Sequence, residues 1–184
     1  MNDATRSGRT LATAILATGL AACSPGNEPP LAVADDFRVD RYAGRWHEIA
    51  TIPASFQDDC TGSATAEYAR VGDRVAVVNR CPTGAGKIKV ADGMARFVER
   101  PTLGKLEVTF VQLGDWWLWP AAGRYWIVAL DPAYRWSVVG EPGRDYAWIL
   151  SRTPSLPADT LARLSGVLRD AGYDPCALVV TFLR

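Results

Sequence analysis

Eight short runs of apolar or alternating residues, separated by turn residues, constrain the fold more than any other feature of this chain. They are rich in Val, Tyr, Phe and Trp, and they cover residues 44–52, 63–70, 74–81, 94–99, 105–112, 124–130, 135–140 and 145–152. Strands of this length and spacing indicate an antiparallel meander. Closing such a meander removes its exposed edges, so the sequence predicts an all-β domain built on an eight-stranded antiparallel up-and-down β-barrel.

The apolar pattern changes period near the C-terminus. Helical spacing follows Pro154, and Gly172 is a typical helix stop; the apolar positions are Leu156, Leu161, Leu164, Val167 and Leu168. A last apolar run covers residues 177–183. We therefore expect one C-terminal α-helix and a short ninth strand after the barrel.

The charge balance and the histidine content exclude several classes of function. The formal net charge at pH 7 is zero, which is not the electrostatic pattern of a nucleic-acid-binding protein. A Ser-His-Asp triad has to use His47, the one histidine, and a site with several histidine ligands is impossible. We expect no nucleic-acid partner, no metal and no cofactor.

The first residues have the pattern of an export signal. Arg6 and Arg9 precede an apolar stretch at 11–20, which is too short to span a bilayer as a helix. The stretch ends in Leu20-Ala21-Ala22-Cys23, which is similar to the lipobox of bacterial lipoproteins, in which the Cys is acylated. Residues 1–22 are thus predicted to be a lipoprotein signal peptide. The alternative is an ordinary signal peptide that contains a Cys.

Residues 23–36 are predicted to form a lipidated tether, because they are rich in Pro, Gly and Ala. Ser24 stands where a lipoprotein of the inner membrane often has Asp, so the sorting rule of bacterial lipoproteins implies the outer membrane. We expect the folded domain, residues 37–184, to be anchored there on the periplasmic face.

Three ordered motifs resemble those of the lipocalin family. Gly44-Arg45-Trp46 opens the first strand, residues 129–134 lie between the sixth and seventh strands, and residues 145–154 include the third motif with Arg152. The resemblance covers roughly residues 37–184 and is greatest to the bacterial outer-membrane lipoprotein group, akin to apolipoprotein D. His47 departs from that group, which usually has Tyr there, and Pro132 and Ala133 depart from the second motif.

The resemblance implies a structural role for Gly44, Trp46 and Arg152. In the family the Trp closes one end of the barrel, and the Arg guanidinium lies across its ring as a cation–π contact. The resemblance also implies a small apolar ligand inside the barrel and no catalysis. We expect a lipid, such as a fatty acid or a lysophospholipid-like molecule.

Side chains alternate between the two faces of a strand, so anchoring Trp46 inward assigns a lumen. The residues expected to contact the ligand are mostly apolar: Ala66, Tyr68, Val77, Asn79, Phe97, Val108, Phe110, Tyr125, Ile127, Trp136 and Trp148. An apolar wall with a few polar groups suits an acyl chain with a small polar end. The alternative is that these side chains fill a solid core.

Cys60 and Cys81 have the parity of the inward faces of strands two and three, so we expect a disulfide between them. Cys60–Cys176 remains an alternative, which would staple the barrel to the C-terminal segment as in an apolipoprotein-like link.

The segment Trp116-Trp117-Leu118-Trp119-Pro120 follows the fifth strand, at the expected open end of the barrel. Trp favours membrane interfaces, so Trp116, Trp117 and Trp119 are predicted to form a membrane-contact loop. Two alternatives stay open: a lid over the lumen and a homodimer contact.

Two other functions compete with the lipid carrier. One is a lipocalin-fold enzyme acting on an apolar substrate, for which Glu48 or Asn79 would have to act in the lumen. The other is a periplasmic interaction module that docks another protein through the Trp loop. The carrier remains the leading interpretation.

Overall fold

The computed structural model describes residues 30–84 and 86–181, so the predicted signal peptide and Cys23 lie outside the described residues. The described part contains two α-helices, α1 at Val39–Tyr42 and α2 at Ala158–Asp170, and eleven strands. In chain order the strands are β1 Gly44–Ile52, β2 Thr65–Val71, β3 Arg74–Pro82, β4 Ile88–Phe97, β5 Lys105–Thr109, β6 Gln112–Leu113, β7 Trp116–Trp117, β8 Gly123–Leu130, β9 Trp136–Gly140, β10 Ala147–Ser151 and β11 Val179–Val180.

Eight of these strands close into the expected antiparallel barrel. The order around the wall is β10-β9-β8-β5-β4-β3-β2-β1, and a further antiparallel pairing between β10 and β1 closes the ring. The short strand β11 pairs with β1 beyond the end of β2, which makes it the expected ninth strand. Within the described residues, no helix has the length and apolar character needed to cross a membrane.

The barrel has apolar residues on both sides of its wall where α2 covers it. Leu164 and Leu168 on α2 are buried against outward side chains of the wall, including Val138 and Ile149. The helix ends at Asp170 with Ala171 as its C-cap, and Gly172 follows with a φ of 89°, a conformation that glycine adopts without strain. The inner side of the wall forms a separate core cluster inside the barrel.

The segment before α1 lies against the barrel. Leu31 is buried in the cluster beneath α2, and Ala34 donates its N–H to the Ile127 carbonyl over 2.7 Å. Gly104 donates in turn to the Ala34 carbonyl over 2.9 Å. These contacts extend the ordered region to residues that the sequence assigned to the tether, so fewer residues separate Cys23 from the barrel than the sequence suggested.

Two barrel strands differ from their predicted limits by three residues or more. β4 begins at Ile88, six residues before the predicted strand, because the polar stretch around Asp92 still pairs with β3 along its whole length. β5 ends at Thr109, and the following residues form a separate hairpin of β6 and β7. Neither difference changes the topology.

The predicted disulfide between Cys60 and Cys81 is confirmed, with the two Cα atoms 5.6 Å apart. Cys60 lies before β2. Its backbone forms an isolated antiparallel β-bridge with Thr83, just beyond the end of β3. The alternative with Cys176 is wrong, since that residue is a free and exposed thiol.

We expect reduction of this disulfide to lower the free energy of unfolding. The two cysteines are 21 residues apart, and closing a loop of this size contributes about 3 kcal/mol in the chain-entropy model. Urea unfolding with and without a reductant measures the difference, and a Cys176→Ser background excludes disulfide exchange with the free thiol. Identical midpoints in the two states would contradict the prediction.

Candidate functional site

One end of the barrel is closed by Trp46 and Arg152. The Trp46 side chain is completely buried, and its indole N–H donates to the Tyr42 carbonyl over 2.8 Å. The Arg152 guanidinium lies 3.9 Å above the Trp46 ring and donates to the carbonyls of Arg41, Tyr42, Ala43 and Arg45. Arg152 thus satisfies the last carbonyls of α1 and fixes that helix across the closed end.

A chain of hydroxyl groups forms the floor of the lumen above Trp46. The Tyr125 hydroxyl lies 2.8 Å from the hydroxyls of both Tyr42 and Tyr68, and Tyr42 also donates to Ser137 over 3.3 Å. Burial raises the pKa of Tyr42 to about 12 and that of Tyr68 well above its usual range. The floor is therefore neutral at physiological pH, and its polar atoms are paired with one another.

Above this floor the wall is lined by small and apolar side chains, with one amide among them. Asn79 on β3 stands between Ala66 on β2 and Ala91 on β4, in directly paired positions. Its Oδ1 atom is buried, and no hydrogen-bond partner for it occurs in the described part of the chain. A buried carbonyl oxygen without a partner is costly, so this atom indicates a place for a donor group from a ligand.

In the middle of β1, Glu48 connects three parts of the chain. One carboxylate oxygen accepts from the Gln57 amide over 2.9 Å, and the other accepts from the Thr181 hydroxyl over 3.1 Å. Gln57 in turn accepts from the Trp148 indole N–H over 3.2 Å. Burial raises the pKa of Glu48, and the two hydrogen bonds oppose that shift.

The structure brings most of the predicted lumen residues together. Eight of them belong to the cluster inside the barrel: Ala66, Tyr68, Val77, Phe97, Val108, Tyr125, Ile127 and Trp148. Asn79 lies on the same face, as the pairing with Ala66 shows. Their contact with a ligand remains a prediction.

Trp136 was placed in the lumen by the sequence, and this placement is wrong. Its side chain packs with the cluster beneath α2, and the Arg163 guanidinium of that helix lies 4.9 Å from its ring. The inward residues of β9 are instead Ser137 and Val139, which pair with inward residues of β10. The prediction from alternating polarity failed here because α2 covers the outside of the wall, so both faces of β9 are buried.

Phe110 lies at the mouth of the barrel rather than deep inside it. Its ring packs over Gly93 so closely that a Cβ atom on that glycine would come within 2.7 Å of two ring carbons. The Phe110 side chain remains 40% exposed. It therefore borders both the lumen and solvent.

The three tryptophans of the predicted membrane-contact loop lie in different environments. Trp119 packs on the outside of the wall, with the guanidinium of Arg96 4.2 Å and that of Arg74 5.5 Å from its ring. Trp117 is half-buried, whereas Trp116 is 79% exposed. Membrane contact thus stays a prediction, and Trp116 is the tryptophan available for it.

Several lumen residues were not among the predicted site residues. Leu106 and Leu150 follow from alternation once Phe97 and Trp148 are placed inward. Gln57 had no signal in the sequence, because it lies in an irregular segment, the 3-10 helix Ser55–Gln57.

Comparison with known proteins agrees with this architecture. A family model described as a lipocalin-like domain matches residues 37–182. Temperature-induced lipocalin-1 of Arabidopsis thaliana is 33% identical to the chain over 143 residues, 77% of each protein. Outer membrane lipoprotein Blc of Escherichia coli is 33% identical over 167 residues, 89% of this chain and 90% of the relative. Insecticyanin of the tobacco hornworm Manduca sexta has a similar fold, with a TM-score of 0.67 at 23% identity over 88% of each chain.

Proposed function

Because the chain belongs to the lipocalin family, we propose that it is a carrier that holds a single-chain lipid in its barrel. Fatty acids and lysophospholipid-like molecules are the ligand classes that suit the lumen. The apolar side chains of Val77, Val108 and Ile127 would surround the acyl chain. Its polar end would lie on the mouth side of the tyrosine floor, near Asn79.

The buried Oδ1 atom of Asn79 carries this proposal. It lies between Ala66 and Ala91, whose small side chains leave room beside it. A carbonyl oxygen in this position needs a donor, and a protonated carboxyl or a glycerol hydroxyl supplies one. The tyrosine hydroxyls below are paired with one another, which favours an apolar tail rather than a polar group at that depth.

The environment of Glu48 favours binding rather than catalysis. Both carboxylate oxygens are held by the donors Gln57 and Thr181, so the group is already engaged in joining segments of the fold. A general acid or base needs a free approach to the proton that it transfers. We therefore place Glu48 among the structural groups of the fold, and the enzyme interpretation has the weaker support.

We further propose that the carrier acts at the bacterial outer membrane, on its periplasmic face, in membrane maintenance. The name of the Escherichia coli relative, an outer membrane lipoprotein, supports this location. Cys23 would be the acylated residue, and the acyl chains would anchor the barrel through the residues before Leu31. Several acyl chains on one N-terminus give stable anchoring, which a single chain does not.

Native mass spectrometry after gentle detergent extraction tests the function. We expect a population of the protein with the added mass of one lipid, because an apolar lumen retains an apolar ligand against dilution. Asn79→Leu is the informative variant, since it should retain less of a lipid that donates to Oδ1. A chain that carries no lipid, and that binds none when titrated with a fluorescent fatty acid, would contradict the proposal.

A further inference from the structure

The hairpin of β6 and β7 projects two large apolar side chains into solvent. Leu113 and Trp116 are directly paired across the hairpin and are 70% and 79% exposed. Gly114, in the turn between them, has a φ of 57°, which suits a tight two-residue turn. The two side chains therefore form one apolar tip.

The base of this hairpin is fixed to the barrel. Leu118 donates its N–H to the Val111 carbonyl over 3.0 Å, and its own carbonyl accepts from the Thr109 hydroxyl over 3.0 Å. Trp119 is held against the outer wall by Arg96, as described above. A hairpin held this way cannot easily fold inward to bury its tip, so the exposure of Leu113 and Trp116 is a property of the fold.

The size of the apolar tip argues against a second copy of the chain as its partner. One large aromatic side chain buries roughly 150–250 Å². With Leu113, the tip offers a few hundred Å² at most, whereas a stable dimer buries about 800 Å² on each partner. A fluid lipid interface accepts two protruding side chains without needing a complementary surface, and tryptophan is favoured there.

The segment between Cys23 and Leu31 is short enough to keep the barrel within reach of a bilayer. Seven residues lie between Cys23 and Leu31, and the eight extended steps from one to the other span at most about 29 Å. An acylated Cys23 would thus hold the barrel close to the membrane surface. β5 runs from the closed end toward the mouth, and the hairpin follows it, so the tip lies at the end where a ligand enters.

We infer that the tip formed by Leu113 and Trp116 inserts into the surface of the bilayer to which the chain is anchored. Insertion brings the mouth of the barrel against the lipid from which the ligand is taken. Trp119 contacts the barrel wall and not lipid. The inference rests on the proposed carrier function and on acylation of Cys23.

Quenching of tryptophan fluorescence by brominated lipid tests the inference. The acylated mature chain is extracted from membranes and reconstituted into phosphatidylcholine vesicles that carry bromine near the acyl carbonyls. We expect quenching in the unsubstituted chain and loss of most of it in Trp116→Phe. Leu113→Asp should also reduce the quenching, because it places a charge at the tip while leaving Trp116 present. Trp136→Phe is the matched control, since Trp136 lies beneath α2 and should not be reached.

Three outcomes would overturn the inference. Quenching that is absent, or unchanged in Trp116→Phe, means that the tip does not enter the bilayer. A fall in oligomeric mass in Trp116→Phe, measured by analytical ultracentrifugation, assigns the tip to a second copy. Recovery of the chain in the soluble fraction removes the anchor on which the inference depends. Lipid retention in the native mass spectra is a separate measurement, so a carrier without membrane insertion is distinguished from a failed carrier.

Discussion

Replacement of Val108 by lysine should abolish lipid binding by a folded barrel. Val108 belongs to the interior cluster and pairs with Ala95 on one side and Gly123 on the other. A charge placed in an apolar cavity costs several kcal/mol unless it is paired. We expect the affinity for a fluorescent fatty acid to fall at least about 100-fold, equivalent to about 2.7 kcal/mol.

Val98→Lys is the matched control for this substitution. Val98 is 51% exposed and lies just after β4, at the closed end, so the same change should leave the affinity unaltered. Circular dichroism and thermal unfolding establish that both variants are folded. If the Val108 variant is folded and binds lipid normally, the lumen is not the binding site.

Replacement of Arg152 by methionine should cause a large loss of stability at the closed end of the barrel. The guanidinium donates to carbonyls of residues 41–43 and 45, and it covers the Trp46 ring. Methionine keeps much of the apolar stem but removes this donor from those carbonyls, although the Tyr42 carbonyl keeps the Trp46 indole N–H as a donor. Hydrogen bonds to a charged group contribute roughly 1.5–3 kcal/mol each, and water replaces some of them, so we expect a net loss of about 3 kcal/mol.

Urea unfolding measures this effect, with Arg169→Met as the control. Arg169 lies on the exposed side of α2 and pairs with its neighbour Asp170, and such surface pairs contribute little. Arg152→Lys should recover only part of the loss, because one ammonium group cannot reach all four carbonyls. Equal stability of the Arg152 and Arg169 variants would show that the closed end does not depend on this contact.

Much of the lumen could be predicted because the inward and outward side chains of the wall differ in polarity. In β2 and β3 the inward residues Tyr68 and Val77 alternate with outward residues that are mostly polar or small, so Asn79 stands out as an amide on the inward side. The disulfide followed from the same alternation. In β9 the outer face beneath α2 is also apolar. The alternation of side chains therefore does not distinguish the two faces there, and Trp136 was placed on the wrong side.

The sequence by itself determined the number of barrel strands, the C-terminal helix and the three motifs, and it favoured the pairing of Cys60 with Cys81, which the structure then confirmed. Those features depend on local periodicity and on residues close together along the chain. The tertiary structure alone decided which tryptophan of the loop is exposed, since Trp119 is held by Arg74 and Arg96 from two other strands. It also decided the partners of Glu48, because Gln57 and Thr181 meet that carboxylate only when the segment after β1 and the C-terminal segment pack around it. Contacts between distant segments follow from barrel closure, and no local pattern encodes them.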